Sequence, residues 1–181
     1  MSLLLIALTV ATTTNPARIA SAARGDRRAV AFAAGALLVV GTILAWLSGP
    51  IIELIGISVP SAVIAAGIAV VVVGTRDAVV APPVLETSPT PIPTAVFPVF
   101  FPTMFTPSLA LMTIAGGAER GVWASLAAVF VGLVLAVVAS LAVPHKPVGR
   151  PSTLARVVAG LFGLGSVVTG VFVATHGVMS I

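Results

Sequence analysis

Apolar residues occupy this chain in six long blocks, separated by short stretches where polar residues and turn formers collect. The blocks show neither the alternation of a half-buried strand nor the single stripe of a soluble amphipathic helix. They are apolar on all sides, the pattern of helices whose surroundings are themselves apolar. A hydrocarbon core about 30 Å thick takes about 20 residues of helix to cross, and each block is near that length. They run from Ser2 to Ala23, Ala29 to Ser48, Val59 to Gly74, Thr94 to Gly117, Val122 to Val143 and Thr153 to Val178. Open strands cannot cross lipid, because their edges leave backbone groups without partners. All six blocks are therefore predicted as transmembrane helices. Gly49 to Gly56 reads as an apolar connection at the membrane interface.

The polar interruptions repeat. Asn15-Pro16 lies inside the first block, and Thr106-Pro107 lies inside the fourth, 91 positions later. Asp26-Arg27 is matched by Glu119-Arg120 at a shift of 93, and Ile64 to Ile68 by Val157 to Leu161 at the same shift. A three-span unit repeated once sets its second copy upside down. Inverted repeats with prolines at matching depths are a signature of secondary transporters. The expected fold is an all-α membrane protein of six helices in two inverted three-helix repeats, with proline-broken helices 1 and 4. Residues 1–80 form the first repeat and 94–181 the second. Between them 81–93 is a linker with five prolines, which favours extended polyproline geometry.

Composition agrees. Only 8% of the residues are charged, against about 25% in a soluble domain, and mean hydropathy is +1.21. The absence of cysteine excludes disulfides and thiolate metal sites. The net charge of +4 does not point to nucleic acid, because the basic residues sit between apolar blocks, where they set topology and meet anionic lipid. Arg18, Arg24, Arg27, Arg28, Arg76, Lys146, Arg150 and Arg156 flank the loops after the first, third and fifth blocks; Arg120 alone lies on the other side. That bias puts the arginine-rich side in the cytoplasm and both termini outside it, in an inner or plasma membrane. Trp46 and Trp123 then fall at the outer interface. Ala20-Ser21-Ala22 has the look of a signal cleavage site, but no basic region precedes the apolar stretch.

The candidate chemistry is sparse. Pro16, Pro98, Pro102 and Pro107 interrupt helical bonding, and such breaks persist in lipid only where protein or a wet cavity satisfies the freed groups. Asn15 is the only side-chain amide in the chain. It either bonds a solute or caps the broken helix, or it bonds only a freed carbonyl of the opposite repeat. Thr12, Thr13 and Thr14 can bond back to their own helix. Asp26, Asp77, Glu86 and Glu119 lie in or beside loops, with no carboxylate at the expected midplane. His145 lies in a loop and His176 near the end of the sixth block. No pair of acid and base groups converges, so an enzyme is not expected, nor is a cofactor or a metal.

At these motifs the chain resembles the MarC family of six-span bacterial inner-membrane proteins, also called the neutral amino acid transporter family, within the broader LysE-type exporter group. The resemblance covers nearly the whole length. It rests on Asn15-Pro16, on Ile55-Gly56-Ile57-Ser58-Val59-Pro60 before the third span, and on Pro98-Val99-Phe100-Phe101-Pro102 followed by Thr106-Pro107-Ser108 in the fourth. Where the family has glycines around the fourth-span proline, this chain has Thr106 and Ser108, and Ala17-Arg18 follows Pro16 in place of the family's glycine and second proline. The resemblance implies the same six-helix fold and amino acid transport.

The expected function is therefore a membrane transporter or exporter of a small neutral solute such as a neutral amino acid. Its site lies between helices 1 and 4, with Asn15, Thr14, Thr106 and Ser108 as hydrogen-bonding groups. The alternative is a non-transporting accessory subunit of a larger membrane complex. The expected partners are the lipid bilayer, the small solute, and a second copy of the chain or a membrane-complex subunit.

Overall fold

A computed structural model describes residues 1–23, 26–80, 95–142 and 153–181. The linker 81–93 and the loop 144–152, with Glu86, His145, Lys146 and Arg150, lie outside the described residues, as does Arg24. Among the described residues there is helix and no strand. In chain order these are α1 (Leu3–Thr13), α2 (Pro16–Ala23), α3 (Arg27–Trp46), α4 (Ser48–Ile55), α5 (Val59–Val79), a π-helix (Ala95–Met104), α6 (Pro107–Arg120), α7 (Val122–Ala142) and α8 (Thr153–Met179). Five described stretches are long and apolar enough to cross a membrane: Leu3–Ala23, Arg27–Trp46, Val59–Val79, Val122–Ala142 and Thr153–Met179. The fourth block is divided between the π-helix and the 14-residue α6.

Local chemistry sets the ends. Ser2, Asp26, Ser58 and Thr106 each accept a backbone N–H in the first turn of the helix that follows, relieving donors that have no intrahelical partner. Proline stands in the first turn of α5 and α6, where its missing N–H is not needed. Gly56 closes α4 in the left-handed region at φ 72°, which glycine adopts without steric cost. The α5 helix runs on to Val79, past the Gly74 expected from the sequence.

The bundle is small-residue inside and large-residue outside. Its buried positions are mostly Ala, Gly, Ser, Thr and Val, while Phe32, Ile43, Phe130, Leu135, Leu161 and Phe172 face outward. Water would reject such a surface; lipid accepts it, and small interior residues let helices approach closely. Closest approach occurs where α5 lies antiparallel to α8. A Cβ on Gly74 would stand 2.7 Å from the Gly163 carbonyl, and one on Gly170 would stand 2.8 Å from that of Gly67. Elsewhere α1 packs on α7, and α3 packs on both the π-helix and α7; α6 lies against α5, and α1 and α2 lie against α8.

The two ends differ. At one, the Met1 ammonium and His176 both pair with Glu119, the latter at 2.9 Å, so the start of α1 and the end of α8 lie together. Trp46 and Trp123, 73% and 85% exposed, belong to this end, since Gly117 sits against Ala45 and Ser48. The other end carries Arg27, Arg28, Arg76 and Arg156, all exposed.

Candidate functional site

The site grows from the joint between α1 and α2. The hydroxyls of Thr9, Thr12, Thr13 and Thr14 all donate to carbonyls of their own helix, Thr14 to Val10 at 2.7 Å. That self-satisfaction lets a polar stretch sit in an apolar bundle. Helical geometry stops at Thr14, and Asn15 takes φ +25°, a region that asparagine enters more readily than most residues. Pro16, buried, then opens α2.

Turned inward at this joint, Asn15 is fully buried. Its Nδ2 donates to Asp77 Oδ2 at 3.1 Å and to the Ala159 carbonyl of α8 at 3.3 Å. It thus ties α1–α2 to α5 and α8 together. Of the alternatives open at the sequence level, a carbonyl partner in the second half is present, and a carboxylate is added to it. Asn15 Oδ1 has no partner among the described residues.

Asp77 lies beside a loop, as expected, in the last turn of α5; it is 6% exposed and paired. Arg18 of α2 brings Nη2 to 2.7 Å from Asp77 Oδ1. Nη2 and Nε are both shielded from solvent, and Nε has no partner among the described residues. Charges within a membrane bundle are expensive unless paired, and they mark functional sites. Arg18 and Asp77 are candidate site residues that the apolar pattern of the sequence does not single out. Ending the third helix at Gly74 placed Asp77 outside it. The available signal was Arg18 itself, because an arginine within an apolar block requires a carboxylate on another helix.

Beside this pair lies a cavity of about 270 Å³. Thr13, Arg18 and Ser21 wall one side, Arg76 and Asp77 of α5 a second, and Pro102, Thr103, Thr106 and Pro107 a third. Two cations and one carboxylate leave this wall net positive. Of the residues expected at the site, Thr106, Pro102 and Pro107 reach the wall. Ser108 is buried and meets the Thr106 hydroxyl at 2.9 Å. Thr14, Asn15 and Pro16 are buried and not on the wall, and Pro98 falls in the π-helix. The cavity is nearer the arginine-rich end than the middle of the bundle. Ala159, which meets Asn15, is six residues into α8, about 9 Å at 1.5 Å per residue.

The chain matches no family model, no curated protein and no solved structure.

Proposed function

We propose that this chain is a multi-pass membrane transporter or exporter of a small neutral solute, held in the cavity between the first and fourth apolar blocks. The observation that carries the reading is a hydroxyl-lined cavity beside a buried Arg18–Asp77 pair, inside a bundle whose outer surface suits lipid. A folding scaffold alone gains little from such a pair, since well-packed apolar residues are often as stable. The volume equals roughly nine waters, room for a small solute. A zwitterion has no net charge yet carries a carboxylate that Arg18 can hold. Thr106 and Thr103 would add hydrogen bonds at the wall, and Asn15 would hold Asp77 in place.

Several features support two inverted repeats. An axis exchanging the halves would pair α5 with α8 antiparallel, swap the α1–α7 contact with the contact of the fourth block on α3, and swap α5–α6 with the packing of α1 and α2 on α8. All of these contacts are present. The break before Pro16 and the one before Pro107 would then correspond. The resemblance to the MarC family implies the same arrangement. By the charge bias, the arginine-rich end faces the cytoplasm and both termini face away from it.

Counterflow in proteoliposomes across a panel of neutral amino acids tests the reading. Uptake by the natural chain, lost in folded Asn15→Ala and Thr106→Val proteins, supports it. No counterflow with any panel member, together with a tightly co-purifying partner, supports the accessory-subunit alternative instead.

A further inference from the structure

We propose that Asp77 is the coupling-proton site of this carrier, exchanging its guanidinium partner for a proton each time solute binds. The inference rests on the carrier reading above and adds the driving ion.

The argument starts from how Arg18 is shared. The Nε/Nη2 edge of a guanidinium is suited to gripping a carboxylate with two parallel hydrogen bonds. Here Arg18 lines the cavity while its Nη2, shielded from solvent, stands 2.7 Å from Asp77 Oδ1, and its Nε has no partner among the described residues. A solute carboxylate entering the cavity competes for the guanidinium, and Arg18 turns from Asp77 to present this edge to it. The Asp77 carboxylate then stands buried with only the Asn15 amide against it. A lone buried carboxylate is costly and is relieved by neutralisation. One proton from the cavity water adds to a carboxylate oxygen to give the acid. When solute leaves, Arg18 returns and the proton departs. Solute and proton therefore bind together, and each favours the other to the same degree.

The surroundings leave no rival for that proton on the wall. Arg18 faces Asp77 from α2, Asn15 faces it from the α1–α2 joint, and α8 contributes the Ala159 carbonyl to the same amide. Arg76 lies on its own helix, and the π-helix and α6 offer the neutral hydroxyls of Thr103 and Thr106. Among the described wall residues there is no second carboxylate and no histidine. Sodium fits less well, since it needs several oxygens held around a full positive charge, beside Arg18 and Arg76.

The test uses the full chain in proteoliposomes, with L-alanine or whichever panel member gives the largest counterflow. A gradient of one pH unit should drive accumulation of up to about tenfold, the limit for one proton per solute. In Asp77→Asn that accumulation should fall to none while some counterflow is still detected, and Asp77→Glu should restore part of it. Calorimetric titration of the natural chain with the same amino acid, in phosphate and in Tris, should show heats differing by about one proton taken up per solute bound. This second measurement decides the matter even if Asp77→Asn fails to fold. Counterflow indifferent to the pH gradient, or driven by sodium, with heats independent of buffer, overturns the coupling and leaves the carrier standing. No counterflow at all removes both.

Discussion

Arg18 and Asp77 meet at 2.7 Å between α2 and α5, joining an arginine beyond the break in the first apolar block to a carboxylate in the last turn of the third. Removing one partner strands the other charge in a low-dielectric site. Asp77→Ala should destabilise the chain by about 3–5 kcal/mol, whereas an apolar replacement of both residues often recovers such a loss. The double variant Arg18→Met/Asp77→Leu should thus unfold in detergent near the temperature of the natural chain. It should also show no counterflow. Equal destabilisation of the single and double variants would show that the pair is not a coupled unit.

Asn15 joins backbone geometry to side-chain chemistry, and two substitutions separate them. Asn15→Gly keeps a residue at ease at φ +25° but removes the amide that bonds Asp77 and Ala159. Its expected cost is about 1–3 kcal/mol for the groups left unsatisfied. Asn15→Ala removes the amide and also strains the backbone, adding about 1–2 kcal/mol. Thermal unfolding in detergent should rank the natural chain above Asn15→Gly, and Asn15→Gly above Asn15→Ala.

Much of this architecture is legible in the sequence, because apolar length and capping chemistry act locally. The starts of α5, α7 and α8 at Val59, Val122 and Thr153 fall where the sequence places them, and Asn15-Pro16 marks a real departure from helical geometry. The pairing of Asp77 is not legible in the same way. It depends on α5 continuing through Thr75 and Arg76, a polar pair that ends an apolar block on paper. In three dimensions Thr75 bonds back to Val71 at 2.8 Å and Arg76 stays exposed at the rim of the cavity, so the helix carries on and delivers Asp77 inward. The cavity's position is also a tertiary fact. Thr14 is a natural candidate from its place beside Asn15, yet the adjoining Thr13 reaches the wall, because successive side chains at the end of a helix point about 100° apart.

The close approach of α5 and α8 is testable on its own. Gly74→Val places a branched side chain where a Cβ already meets the Gly163 carbonyl and Ser166 Cβ, each at 2.7 Å. Backbone cannot yield as a flexible side-chain tip can, so the helices must separate. The expected loss is about 3 kcal/mol or more, at the upper end for overpacked interiors. Gly35→Val is the control, since nothing lies within 4 Å of a Cβ there. It should leave the unfolding temperature almost unchanged.

Glu119 ties the opposite end of the bundle together, and it predicts a dependence on acid. Burial opposes its charge, but hydrogen bonds from the Met1 ammonium and His176 outweigh that, holding its carboxyl below the ordinary value of 4.5. The folded state therefore favours the ionised form more than the unfolded state does. Its contribution is fully present above about pH 4.5 and is lost as pH falls through the lower, folded value. Other carboxylates titrate over the same range, so the informative quantity is a difference between two proteins. Glu119→Gln should unfold at a lower temperature than the natural chain at about pH 6. The two should converge as pH falls through that lowered value, where the natural carboxyl is itself protonated. A gap of constant size across that range would mean that the charge on Glu119 does not hold α1, α6 and α8 together.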